Sequence, residues 1–76
     1  MRFKPLDVVV LQKDLPSGLK RGDLGAIVDV YEPDGLEVEF VTASGKTEAL
    51  VTLKTADVRA VANNDLVAVR SLSGAA

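Results

Sequence analysis

The stretch "LGAIVDVYEPDGLEVEFV", residues 24–41, places two strand-like runs on either side of a four-residue turn signal. In "EPDG", Pro33 presets φ at the second turn position and Asp34 tolerates the third. Gly35 is expected to supply a positive φ in a bulged hairpin. After the turn, Leu36, Val38 and Phe40 alternate with Glu37 and Glu39, the two-residue period of a half-buried strand. The same period before the turn puts Leu24, Ala26, Val28 and Val30 on the core side. Gly25, Ile27, Asp29 and Tyr31 then fall outside.

Working outward, "PLDVVVLQ" (5–12) reads as a first strand, because β-branched valines suit the pleat and Pro5 suits its entry. Leu6, Val8 and Val10 share one face, and Asp7, Val9 and Leu11 the other. Residues 13–23 form an excursion loop punctuated by Pro16, Gly18 and Gly22, with Leu15 and Leu19 as apolar plugs for one end of the core. "TASGK" (42–46) is a second turn. "TEALVTL" (47–53) points Ala49, Val51 and Leu53 inward. "KTADV" (54–58) predicts one helical turn capped by Thr55, and "VRAV" (58–61) a short last strand.

The pattern predicts an all-β domain, a small SH3-like barrel of five short antiparallel strands. A long loop follows the first strand, and one helical turn precedes the last. Oligonucleotide-binding, ubiquitin-like and ferredoxin-like folds each need a longer helix than this sequence offers. The barrel is expected to span residues 1–61. Asn63 and Asn64 break the last strand and open a tail, 62–76, that is either flexible or packed on the barrel.

Composition narrows the function. The chain has 76 residues, 47% of them hydrophobic and 26% charged, which makes one globular domain with no room for a second core. A core of this size supplies roughly 3–5 kcal/mol at best, so self-association or a partner chain is a natural aid. The absence of Cys and His removes thiol nucleophiles, imidazole bases and the usual zinc ligands. No glycine-rich phosphate loop is present. The sequence therefore predicts no catalytic residues, no cofactor, no metal and no small-molecule substrate. It has no signal-peptide pattern and no membrane-length apolar run, and the lack of Cys fits a reducing compartment. A soluble cytoplasmic protein is expected.

The hairpin makes a sharper statement about surface. Val30 should oppose Leu36 or Val38, so Asp29 should oppose Glu37 or Glu39 on the outer side. Across the second turn, Glu39 should lie near Leu50 and Val41 near Glu48. Asp29, Tyr31, Glu37, Glu39, Val41, Glu48 and Leu50, with Ile27, then form an acidic, partly apolar outer face. Two readings of it compete. Either the loop or Leu66, Val67 and Val69 of the tail cover its apolar residues, or it is an interaction patch for a basic protein surface.

Two resemblances bear on these readings. Lys20 and Arg21 precede "GDLG" (22–25) at the start of a strand, which resembles the loop-to-strand element of the KOW motif of elongation factors and ribosomal proteins. That likeness implies RNA contact through Lys20 and Arg21, with Lys4, Lys46 or Lys54 nearby. A net charge of −2 and the lack of aromatic stacking platforms other than Tyr31 argue against nucleic acid. A longer likeness runs from Phe3 to about Val61. It is carried by "LDVVVL" (6–11), "DLP" (14–16), "GLK" (18–20), Gly22-Asp23, Gly25, "IV" and "VY" before residue 32, "VEF" (38–40), Thr52-Leu53 and Val58-Arg59. In this order the motifs resemble a family of small bacterial proteins, domain of unknown function 4926. Membership implies a compact barrel and no chemistry. The family's gene neighbourhoods imply a second small protein as partner, as in a toxin–antitoxin pair. Three functions follow: a non-enzymatic protein-binding, antitoxin-like module; a KOW-like RNA binder; and an accessory barrel aiding enzyme assembly, by analogy with nitrile hydratase subunits.

Overall fold

A computed structural model describes residues 3–72. The chain forms β1 (Val8–Leu11), β2 (Leu24–Tyr31), β3 (Gly35–Val41) and β4 (Thr47–Lys54), then one 3-10 turn (Thr55–Asp57) and β5 (Val58–Ala60). The strands make a single antiparallel sheet in the order β4-β3-β2-β1-β5. The sheet is open, with β4 and β5 at its edges.

The inner face carries the core. Val9 and Leu11 of β1, Ile27 of β2, Leu36, Val38 and Phe40 of β3, Leu53 of β4 and Val58 of β5 are all buried. Leu19 reaches in from the excursion loop, with Leu15 packed beside it, so the loop closes one end as its apolar residues predict. Among the described residues no polar or charged side chain is buried. Such a core is held by apolar burial alone, about 1.5–3 kcal/mol for each fully buried Val, Leu, Ile or Phe.

One departure from the sequence pattern reorganises β2. Ile27 pairs with Val38 and Asp29 with Glu37, so Val28 is an extra residue in a bulge. An extra residue reverses which side chains face the core. Beyond the bulge the alternation holds: Val30 opposes Leu36 and packs on the core. Before it the alternation is inverted. Ile27 is fully buried rather than outward, while Val28 is 43% and Leu24 39% exposed rather than inward. Gly25 also faces inward, where a Cβ would lie 2.5 Å from Val38 Cγ1 and 2.9 Å from Phe40 Cε1. Its role is close approach; Gly22, at φ +97°, makes the sharp turn into the strand. The Ile27 backbone at the bulge is satisfied by Leu6 N–H and Asp7 C=O, at 2.8 and 2.9 Å.

The turns form where expected, with altered detail. Tyr31 pairs with Gly35 across residues 32–34, which include a cis Glu32–Pro33 bond. Gly35 does not adopt a positive φ; it lies in β3, where a Cβ would be 3.2 Å from that of Tyr31. A second bulge pairs Val41 with Thr47, not with Glu48. At the 3-10 turn the capping group is Asp57, whose carboxylate accepts the Lys54 N–H at 2.9 Å, rather than Thr55. The same carboxylate meets Lys13 Nζ at 3.2 Å. The Lys54 N–H first, and Lys13 after it, hold its pKa below the ordinary carboxylate value.

Candidate functional site

The outer face of the sheet is ordered in rows. One row runs Val8, Ala26, Glu39, Leu50 across four strands. The next places Asp29 opposite Glu37, which in turn opposes Thr52. Tyr31, Gly35 and Lys54 form a third. The predicted opposition of Asp29 to Glu37, and of Glu39 to Leu50, is thus present. Directly opposed like charges destabilise a sheet by some tenths of a kcal/mol, up to about 1.

Threonine hydroxyls, not cations, hold the two glutamates, while the Asp29 carboxylate accepts the Val30 N–H at 2.9 Å. Thr52 Oγ1 donates to Glu37 Oε1 at 2.5 Å, and Thr47 Oγ1 donates to Glu39 Oε2. Among the described residues none of Asp29, Glu37, Glu39 and Glu48 enters an ion pair. The Tyr31 hydroxyl is pushed above its ordinary pKa, first by desolvation and then by the negative charges of Glu37 and Asp29. Val8, Val28, Tyr31, Val41 and Leu50 are exposed along the same strands. Ile27, placed on this face by simple alternation, is instead in the core, and Val28 takes its place outside.

The other end of the outer face has a different construction, which sequence reasoning missed. Val10 opposes Leu24 on one side and Arg59 on the other. Above them, residues 61–72 form an arm that turns at Asn63–Asn64 and joins no strand. Arg59 grips Asp65 through both guanidinium nitrogens, Nη1 to Oδ2 at 2.8 Å and Nη2 to Oδ1 at 3.0 Å. The Ala62 N–H adds a bond to Asp65 Oδ2 at 2.7 Å. Further along, Arg70 Nε and Nη2 reach Asp23 Oδ1 and Oδ2 at 2.7 and 2.5 Å, and Nη2 also reaches the Gly18 carbonyl at 3.1 Å. Arg59, followed by the Ala62 N–H, lowers the Asp65 pKa to about 2. The Arg70 guanidinium is the main cause of a lowered pKa at Asp23. Bidentate pairing of this kind fixes geometry as well as charge.

Between the two latches the arm bridges a cleft of about 750 Å³. Val10, Leu24 and Val41 line it from the sheet side, Val61 from the start of the arm, and Glu48 stands with them. The arm does not cover the outer face with its own apolar residues: Leu66, Val67 and Val69 are 96, 76 and 96% exposed. The candidate residues therefore divide. Asp29, Tyr31 and Glu37 lie in adjoining rows, Glu39 and Leu50 in the next, and Val41 and Glu48 belong to the cleft.

Lys20 and Arg21 sit exposed in the excursion loop. Their backbone N–H groups donate to Asp23 and Asp14, at 2.7 and 2.9 Å, and among the described residues neither side chain makes an ion pair. Lys20 thus helps hold Asp23, which anchors the arm, while Arg21 is tied to Asp14. The link from Asp23 to Arg70 joins residues 47 positions apart, so no local motif announces it.

An open antiparallel sheet with an acidic outer face and a latched arm across one end defines a small all-β domain. The chain belongs to the DUF4926 family, a domain of unknown function, whose pattern matches residues 6–60. No curated protein and no solved structure matches the chain. The family match covers every strand and stops at Ala60, so Asp23 and Arg59 lie within it and Asp65 and Arg70 beyond it. Among the described residues no helix is long and apolar enough to cross a membrane.

Proposed function

We propose that this domain is a non-enzymatic, SH3-like barrel that binds another protein, in the manner of an antitoxin holding a small partner. The five-strand order and the 3-10 turn between β4 and β5 support the barrel reading. The observation that carries the function is the set of carboxylates on the outer sheet face. Asp29, Glu37 and Glu39 stand among exposed Val8, Val28, Tyr31 and Leu50 without a cation partner in the described residues. A basic surface supplies the missing countercharge, and the apolar side chains supply contact area. Such electrostatic complementarity governs partner choice and association rate.

The test is recovery of a tagged chain from its native host. A single stoichiometric partner, released by raised salt and lost in an E37K/E39K double variant, supports the proposal. Recovery of the chain with nothing bound overturns it, and an unchanged complex with E37K/E39K moves the site off this face. If the partner is an enzyme subunit, the domain is an assembly aid. A second reading rests on Lys20 and Arg21, exposed and without an ion pair among the described residues: contact with RNA through the excursion loop. Filter binding at low salt tests it, since phosphate contacts must weaken steeply as salt rises.

A further inference from the structure

The arm leaves its own apolar side chains uncovered. Leu66, Val67 and Val69 are held almost wholly in solvent although both ends of the segment are fixed by bidentate ion pairs. Residues 66–70 contain no helix, turn or bend and join no sheet ladder. An unpaired, apolar segment of this kind is a template for another strand, and proteins normally blunt such templates with charge or cover. Here the only charges are the two at its ends.

Those two charges suggest what covers it. The segment Asp65-Leu-Val-Ala-Val-Arg70 is self-complementary when laid antiparallel on a second copy of itself. Centred between Val67 and Ala68, the register sets Asp65 opposite Arg70, Leu66 opposite Val69 and Val67 opposite Ala68, in both directions. Only a two-fold arrangement satisfies both ends at once, the self-matching geometry of a symmetric dimer. The latches need not open. Asp65 keeps Arg59 and Arg70 keeps Asp23, so each end becomes part of an alternating row of four charges. The latches also hold the arm in place in advance, which lowers the ordering cost of pairing.

We propose that two copies of this chain associate through their arms, the 65–70 segments pairing antiparallel and closing the cleft over Val10 and Leu24 in each copy. The inference does not depend on the acidic face, which lies at the other end of the sheet's outer side. Six residues per copy make a ribbon well below a standard interface of about 1,200–2,000 Å², so the dimer should be concentration-dependent.

Sedimentation velocity on the full chain, from about 1 μM to about 1 mM, tests it. The expected result is a shift from the 8.0 kDa monomer toward twice that mass. Over the same range, the amides of residues 66–69 should gain protection from hydrogen exchange. An L66K/V69K variant changes only exposed side chains, so it should unfold at the wild-type temperature and stay monomeric throughout. R70A, which removes both the latch to Asp23 and the Asp65–Arg70 pairing between copies, should weaken dimerisation at least tenfold. A chain that is monomeric at the highest concentration overturns the proposal. So does a dimer that survives L66K/V69K, or one in which the 66–69 amides exchange as fast as in the monomer.

Discussion

On the inner side of the sheet, Ile27, Leu36 and Val38 are completely buried and, among the described residues, no polar side chain accompanies them; on the outer side, Val28 and Leu50 are open to solvent between carboxylates that face one another. The same strands build both surfaces, often from adjacent residues. The inner side meets the requirement of every small domain, maximal apolar burial with nothing left unsatisfied. The outer side departs from that economy twice. It opposes Asp29 to Glu37, and it holds an apolar arm away from the sheet. Places where local rules are broken without a stabilising return are where function is to be sought.

The strongest way to break this comparison is to exchange the roles of Ile27 and Val28. Ile27→Ala should cost about 2–5 kcal/mol in denaturant unfolding, the range for emptying a core site. Val28→Ala should stay within about 0.5 kcal/mol, as for a surface change. Equal effects would mean that the bulge is absent. Gly25→Ala comes next. Its methyl group would meet Val38 and Phe40, and overpacking should cost about 1–3 kcal/mol.

A smaller change, of opposite sign, is expected outside. Asp29→Lys replaces an acid–acid pair with an acid–base pair and should stabilise the fold by about 0.2–1 kcal/mol. If it also weakens partner binding, stability and function are opposed at that position. The smallest expected effect comes from acid. Asp65 has its pKa lowered from 3.8 to about 2, so its pairing with Arg59 stabilises fully above the higher value. That contribution fades as pH falls from 3.8 toward 2, and the Ala62 amide should lose exchange protection over the same interval. An R59A variant should show faster Ala62 exchange already at neutral pH.

Much of this fold was legible in the sequence, and the residues show why. In β3 and β4 the period of two is unbroken over Leu36, Val38 and Phe40, and over Ala49, Val51 and Leu53, so inward positions followed directly. The family likeness, too, was carried by residues that build strands and turns. In β2 the pattern was ambiguous, because Ile27 and Val28 are adjacent apolar residues and either could have turned inward. The opposed acids were readable because they lie beyond the bulge, where register is counted from the hairpin. The arm's latches were not readable at all. Asp23 and Arg59 look like ordinary surface charges until the chain folds and brings Arg70 and Asp65 to them.

The extra residue in β2 also governs which changes in chain length this domain can absorb. Removing Val28 leaves Ile27 and Val30 with their present partners, Val38 and Leu36, since it takes out only the residue without a counterpart. Removing a residue away from the bulge, from Leu24–Ala26 or Val30–Tyr31, forces one side of the strand to slip against its neighbours. Relatives that differ in length within β2 should therefore differ at this point, and a chain with Val28 deleted should still fold, with a straighter strand and a less twisted sheet.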